Sequence, residues 1–337
     1  MILRSRREGT IFAIVALMVL SSSSSSQAQA PQPQAALNAP SEARPPVNRD
    51  ELRFWLENMV WHHQFTTEEI REATGLSPTD QNRELTDLGI RPDAKPNRAA
   101  DAPLLVLPYP GGRHPRQGFL DGAIRPQRET KLSVFAPWDQ TSYAVIDVPE
   151  AVFSNLGLTY LAHTHVPTLW SKQGIDLPRL EWTRNADGSF QIKRELPNKI
   201  GFEVKAVPNR DAVALEMSLT NGTDRELTGL RVQMCAMLKK LKGFEPQSND
   251  NKVFRAPYSA CKSADGKRWV IWAWEPCQRA WGNAPCPCLH SDPQFPDCPP
   301  GQTRHARGWF SFYEGADLDA ELARVERTNW RGFGVKP

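Results

Sequence analysis

Residue type and spacing single out a few places where this chain could do chemistry. The first is Leu161-Ala162-His163-Thr164-His165. On a strand alternate side chains face the same way, so both imidazoles would point together. Two histidines at i, i+2 can ligate one divalent metal or grip one substrate, or they can be structural hydrogen-bonding groups. His163 and His165 are thus the candidate metal pair. With His114 and Glu129 they are also the candidate acid–base groups. The second place is Tyr109-Pro110-Gly111-Gly112-Arg113-His114-Pro115-Arg116. Gly-Gly permits unusual backbone angles, and Arg113 and Arg116 have the fork geometry that binds a carboxylate or sulfate. The third is Arg128-Glu129, just before a strand that ends at Ala136-Pro137-Trp138-Asp139. Glu129 is a candidate general base or metal ligand, unless Arg128 and Glu129 form structural ion pairs. Arg113, Arg128, Trp138 and Trp170 are the candidate substrate-binding residues, Trp138 by stacking its apolar face on a ring.

Cysteines and tryptophans supply the rest. Cys277, Cys286, Cys288 and Cys298 fall within 22 residues, and Cys235 and Cys261 complete the set. In an exported chain an even count favours three disulfides stapling a Pro-rich loop, 277–298. The rival is a zinc or copper site using some of these thiols with His290. The spacing C-x8-C-x-C-x9-C is not that of a zinc ribbon. Cys286 and Cys288 would take different partners, because a ring across one residue is strained. Trp269, Trp272 and Trp274 share one strand, with Trp272 and Trp274 on one side and Trp269 on the other. Core packing is the default reading for them. Trp170 and Trp281 fall in expected loops, where exposure is the expectation.

Gly157, six residues before His163, matches the start of the cupin metal motif. The acid that should follow is missing between Val166 and Trp170, and Pro299, Gly301 and His305 miss the second cupin motif by one residue. A metal-dependent cupin-like enzyme would need a third ligand near His163 and His165.

These residues need a scaffold. The 337-residue chain has 41 Lys+Arg, 38 Asp+Glu, 29 Pro and 40% hydrophobic residues, enough for a packed core and against whole-chain disorder. Residues 1–28 read as a signal peptide: Arg4, Arg6 and Arg7, then an apolar run Ile11 to Leu20. That run is short of the roughly 20 residues a bilayer span needs. Cleavage is expected after Ser26-Gln27-Ala28, giving a periplasmic or extracellular protein. Removing 1–28 takes three Arg and one Glu, leaving 38 basic against 37 acidic residues. A near-neutral chain has no electrostatic footprint for nucleic acid, nor for an acidic membrane once the signal is gone.

Residues 29–50 are a Pro/Ala-rich linker. Residues 51–90 form a small helical module: Leu52, Trp55, Leu56, Met59 and Val60 share a helix face, and Thr66 or Thr67, with Glu69 or Glu68 nearby, can N-cap the next helix. Gly75-Leu76-Ser77 then gives the turn of a helix-turn-helix shape. Its second helix carries Asp80, Glu84 and Asp87 against Arg83, which would repel phosphates. After a second linker, 91–102, residues 103–316 alternate short β-rich runs with turn signals. Asp187-Gly188, Asn221-Gly222 and Asp265-Gly266 are strong hairpin turns. The expectation is mainly β: one large antiparallel β-sandwich after the helical module, then a C-terminal helix and tail over 317–337.

Residues 211–232, DAVALEMSLTNGTDRELTGLRV, resemble a hairpin of galactose-mutarotase-like domains of secreted carbohydrate-active proteins. Pro300-Gly301-Gln302-Thr303 with Gly308-Trp309-Phe310-Ser311-Phe312 and Gly315 resembles the closing hairpin of such sandwiches. The resemblance implies a sandwich with a saccharide-handling concave face. The family's separated catalytic His and Glu cannot be placed residue by residue, so epimerase activity is not carried over. The expected function is a secreted protein acting on or binding a saccharide or glycan, by His/Glu acid–base or metal-assisted chemistry. The alternative is a non-catalytic envelope module that binds glycans or proteins.

Overall fold

A computed structural model describes residues 42–115, 128–163 and 166–332. His165 and Arg116 lie outside the described residues, as do the signal peptide and most of the first linker.

Fifteen strands among these residues form two antiparallel sheets. Sheet one holds β1 (Val106–Pro108), β2 (Lys131–Ala136), β3 (Asp139–Ser154), β9 (Arg231–Met237), β14 (Cys288–Pro293) and β13 (Cys277–Trp281) in that order, with β4 (Gly157–Leu161) beside β3. Sheet two runs β10 (Lys252–Arg255), β11 (Tyr258–Lys262), β12 (Arg268–Glu275), β15 (Thr303–Glu314), β8 (Ala212–Asn221), β7 (Ile200–Pro208), β6 (Phe190–Glu195) and β5 (Thr183–Arg184). The expected antiparallel sandwich is present.

Strict alternation explains the layers. Leu132 and Val134 of β2, Ala144 and Ile146 of β3, and Val232 and Met234 of β9 face inward. They meet Val204, Leu215, Met217, Trp272, Trp274 and Phe310 of sheet two. Trp272 and Trp274 thus pack in the core, as their default reading has it. Trp269 faces the other way, onto α4 (Leu318–Arg327), with Leu318, Val325 and Trp330.

Two expectations about connections are corrected. The stretch 211–232 is no hairpin, because β8 lies in sheet two and β9 in sheet one. The buried Asn221 side chain donates to the carbonyls of Arg225 and Cys298, and Leu227 and Leu230 sink into the core, so the chain crosses the sandwich edge instead of turning back. The Pro-rich stretch 277–298, expected as a loop, instead supplies β13 and β14, which pair with each other.

The helical module comprises α1 (Arg49–Glu57), a π-helical turn over Asn58–His63, α2 (Thr67–Thr74) and α3 (Pro78–Leu88). The Thr66/Glu69 capping box is formed, and Gly75 ends α2 at φ +79°. Trp55, Leu56, Met59, Ile70 and Leu88 form the module's own core. The module covers part of the outer face of sheet one, and His63 is its anchor. His63 Nε2 lies 2.7 Å from Ser133 Oγ, and its ring sits edge-on among Phe65, Tyr109, Phe135 and Tyr143.

Burial pushes the His63 pKa down to about 3, with Arg113 adding to the effect. The unfolded chain therefore binds this proton below about pH 6.5 while the folded one refuses it. The sign is that stability is full above about 6.5 and falls as pH drops towards 3, by about 1.4 kcal/mol per pH unit crossed. Urea midpoints between pH 7 and pH 4 should show this slope, and His63→Gln should flatten it while lowering stability at pH 7. An unchanged slope in the variant would refute the anchor assignment.

Candidate functional site

The outer face of sheet one carries a row of polar side chains set by strand register. Lys131 of β2 stands opposite Asp147 of β3, and Asp147 opposite Cys235 of β9. Cys235 stands opposite His290 of β14, and His290 opposite Trp281 of β13. Cross-strand partners point to the same face. Beside this row β3 carries a register shift between Asp147 and Ala151, which contains Glu150. Bulges of this kind re-aim side chains. Here Glu150 Oε1 meets His163 Nε2 at 2.7 Å, and Glu150 Oε2 lies 3.7 Å from His290 Nδ1. One carboxylate therefore stands between two imidazoles. The His163 and Glu150 side chains are only 1% and 5% exposed.

The remaining groups satisfy one another. Asp147 accepts from Thr130 Oγ1 at 2.6 Å and lies 3.2 Å from Lys131 Nζ. Burial raises the Asp147 carboxyl above its ordinary pKa, against the pull of Lys131. Lys131 Nζ also donates to the carbonyls of Arg128 and Ala162. Trp281 stacks on His290, with ring centroids 4.1 Å apart, and donates to Asp292 at 2.6 Å. Burial also raises the Asp292 carboxyl. Burial pulls the His290 pKa down, but the hydrogen bond to Cys288 and the charges of Cys288, Glu150 and Asp292 outweigh it and leave it raised. The Cys288 thiol is held well below its ordinary pKa by hydrogen bonds with Cys235, Cys286 and His290.

The sequence candidates fall in different places. His163 sits just past the end of β4, in a bend, so the alternation argued for a histidine pair on a strand does not apply there. Its partner on this face is Glu150. Glu129 is buried and backbone-strained at φ +65°. Its carboxylate is held by Arg44, by Arg194 at 2.9 Å and by the Leu180 N–H at 3.2 Å. Two guanidiniums and an amide occupy the lone pairs a general base would need, so Glu129 is an ionic hub. Arg128, on the strap of residues 128–130 that leads into β2, lies over the Trp55 ring at 4.0 Å and donates to the Pro110 carbonyl and to Glu181, tying this strap to α1. Arg113 does bind a carboxylate, that of Glu69 on α2, at 2.5 and 2.7 Å. Gly112 makes that approach possible, since a Cβ there would stand 2.1 Å from the Glu69 carbonyl. His114, next on this loop, is half-buried. Trp170, expected to be exposed, is buried because its Nε1 donates to the Thr159 carbonyl at 2.7 Å. Trp138 is half-buried against Phe312 and Arg268 and borders a surface cavity of about 370 Å³ with Asp139, Lys242 and Asp265.

The six cysteines are not joined by disulfides in the structure, and the expected staple is not shown. Cys277 pairs with Ser291 Oγ, Cys298 with the Gln302 carbonyl, and Cys261 with Asn251, each in its own part of the fold. Cys235 and Cys288 instead converge with His290: one donor atom from each lies within 4.8 Å of the others, and all three are buried. Sequence reasoning missed Lys131, Asp147 and Glu150. Their signal was a charge inside an apolar strand, as in Tyr143-Ala144-Val145-Ile146-Asp147.

If Glu129 is a hub, Glu129→Gln leaves Arg194 buried without a carboxylate partner and Arg44 with Glu181 alone. The expected loss is about 3 kcal/mol of stability in chemical denaturation. A variant as stable as wild type would argue against this assignment.

No protein-family profile and no curated protein matches the chain. Among solved structures, the Slr1438 protein from Synechocystis sp. PCC 6803 is similar at 12% identity and TM-score 0.34, over 57% of this chain and 89% of that one. A putative aldose 1-epimerase from Escherichia coli K12 is similar at 9% identity and TM-score 0.30, over 41% and 69%. A putative kojibiose phosphorylase from human microbiome is similar at 7% identity and TM-score 0.38, over 63% of this chain and 28% of that one.

Proposed function

We propose that this is an exported enzyme that performs general acid–base chemistry on a saccharide at the outer face of sheet one. The observation that carries the reading is the Glu150–His163 contact of 2.7 Å, with His290 on the other side of the same carboxylate. An imidazole oriented by a carboxylate can take a proton from a hydroxyl and return it to a leaving oxygen. The carboxylate fixes the tautomer and favours the imidazolium that forms. Lys131 and Asp147, buried in the same row, pair with each other and brace the strands beside the Glu150–His163 pair. The saccharide class rests on the sequence resemblance of residues 211–232 and 300–315 to galactose-mutarotase-like domains, and export on the signal-like residues 1–28.

One observation favours a non-catalytic glycan-binding module as second reading. The acid–base pair is buried, whereas Trp138 with Asp139 and Asp265 borders an open cavity suited to a sugar ring and its hydroxyls.

The test is a panel of mono- and oligosaccharides followed by proton NMR at the anomeric and glycosidic positions. Wild type is expected to convert at least one. Glu150→Gln and His163→Gln, folded by circular dichroism, should each lose about 10²-fold or more in rate. Conversion unaffected by either variant, or a panel that wild type leaves unchanged, would overturn the enzyme reading. Saccharide binding without conversion, abolished by Trp138→Ala, would establish the second reading. N-terminal sequencing of exported protein should begin at Gln29, and a retained residue 1–28 segment would refute export by this signal.

A further inference from the structure

We propose that Cys235, Cys288 and His290 form a binding site for a soft or borderline closed-shell cation, zinc(II) or copper(I), on the outer face of sheet one. Three observations carry it. Their donor atoms lie within 4.8 Å of one another, the span a single ion needs to touch all three. All three residues are buried, so their convergence is a feature of the packed face. The three come from two neighbouring strands in fixed register: Cys235 stands opposite His290, and Cys288 lies two residues before His290 on the same side of β14.

The chemistry of the donor set selects the ion. Two thiolates and an imidazole disfavour magnesium and calcium, which take oxygen ligands, and favour zinc(II) or copper(I). Charge balance agrees. Two thiolates neutralise a divalent cation, and binding displaces their protons to solvent. Cys286 flanks the trio within hydrogen-bond reach of Cys288, and Lys252 Nζ donates to the Cys286 carbonyl at 2.9 Å, which brings a cation beside the thiolates. Outside the ligands stands a supporting layer of the kind that fixes metal-binding imidazoles. Trp281 stacks on the His290 ring, and Glu150 and Asp292 approach its Nδ1 at 3.7 and 3.9 Å.

This site does not depend on the acid–base reading, because its ligands do not include Glu150 or His163. It also differs from the His163/His165 pair and from the disulfide staple suggested by the sequence.

The experiment loads the full mature chain, purified with thiols reduced, with zinc(II) in one arm and copper(I) under anaerobic conditions in the other. Bound metal is read by elemental analysis after desalting, and cobalt(II) substitution is read by thiolate-to-metal charge-transfer absorption. One arm or both should retain a stoichiometric ion, and the cobalt form should show the thiolate band. Cys288→Ser and His290→Gln should each lose most of the retained metal, while Cys277→Ser and Cys298→Ser keep it. Should a ligand variant fail to fold, wild type still decides: bound metal should protect Cys235 and Cys288 from alkylation, mapped by mass spectrometry. No retained ion in either arm would overturn the proposal. So would retention in Cys288→Ser, unprotected thiols in the loaded protein, or a Cys235–Cys288 disulfide that persists under reduction. Loss of saccharide conversion in His163→Gln with metal retained would bear on the enzyme reading alone.

Discussion

The register of sheet one is the constraint on which the rest depends. A strand has a side-chain period of two, so a slip of one residue would turn every polar group of the row into the sandwich core. The core prevents that slip. Leu132, Ile146, Val232 and Leu289 alternate with the polar positions and are fully buried between the sheets. Burying these apolar side chains is what lines up Lys131, Asp147, Cys235 and His290 on the opposite face. The chemistry is thus positioned by hydrophobic packing one residue away along each strand, and only Glu150 needs a local irregularity to join it.

A sheet covered on both faces normally reads as apolar throughout. Sheet one is an exception that obeys charge rules, because a buried ion survives when it is paired. Lys131 faces Asp147, Glu150 faces His163, and Asp292 receives Trp281 and the Met234 amide. The same rule operates at the strap that joins module and sheet, where Arg44 and Arg194 enclose Glu129 and Arg113 grips Glu69. The helical module is therefore attached through buried polar contacts as well as through the aromatic cage around His63.

The fold was largely legible in the sequence, because its elements rest on local signals. Thr66 and Glu69 announce a helix start. Gly188 and Gly266, at φ +78° and +73°, sit at the hairpins their Asp-Gly pairs predict. Alternation in β8 is as plain in the structure as in Val213, Leu215, Met217 and Leu219. What was illegible is non-local. Prolines and cysteines in 277–298 read as loop, yet pairing with β9 makes β14 a strand. Nothing near Asn221 says that the next strand joins the other sheet. At the site, His163 was legible as a residue type in a promising place, but its partner Glu150 is set by a bulge that no spacing reveals. Arg113 was legible as a carboxylate binder, and Arg128 as a substrate anchor or as one half of a structural ion pair; what spacing did not show is that the Arg113 partner is Glu69 of the helical module.

Two glutamates show why position along the chain is a poor guide to role. Glu129 and Glu150 are both buried carboxylates at the margins of sheet one. Glu129 is enclosed by permanent cations: an arginine side chain does not deprotonate in a protein, so this carboxylate is held in one geometry. Glu150 faces imidazoles, which change charge near neutral pH and can pass a proton on. The first arrangement is suited to holding a strap in place, the second to moving protons or to orienting a ligand of a metal. Because Glu150 touches His163 on one side and approaches His290 on the other, the protonation of either imidazole alters the field at the other through a single carboxylate. Any charge placed on the cluster of Cys235, Cys288 and His290 is therefore felt at His163, and the Glu150–His163 pair and the sulfur cluster behave as parts of one electrostatic unit.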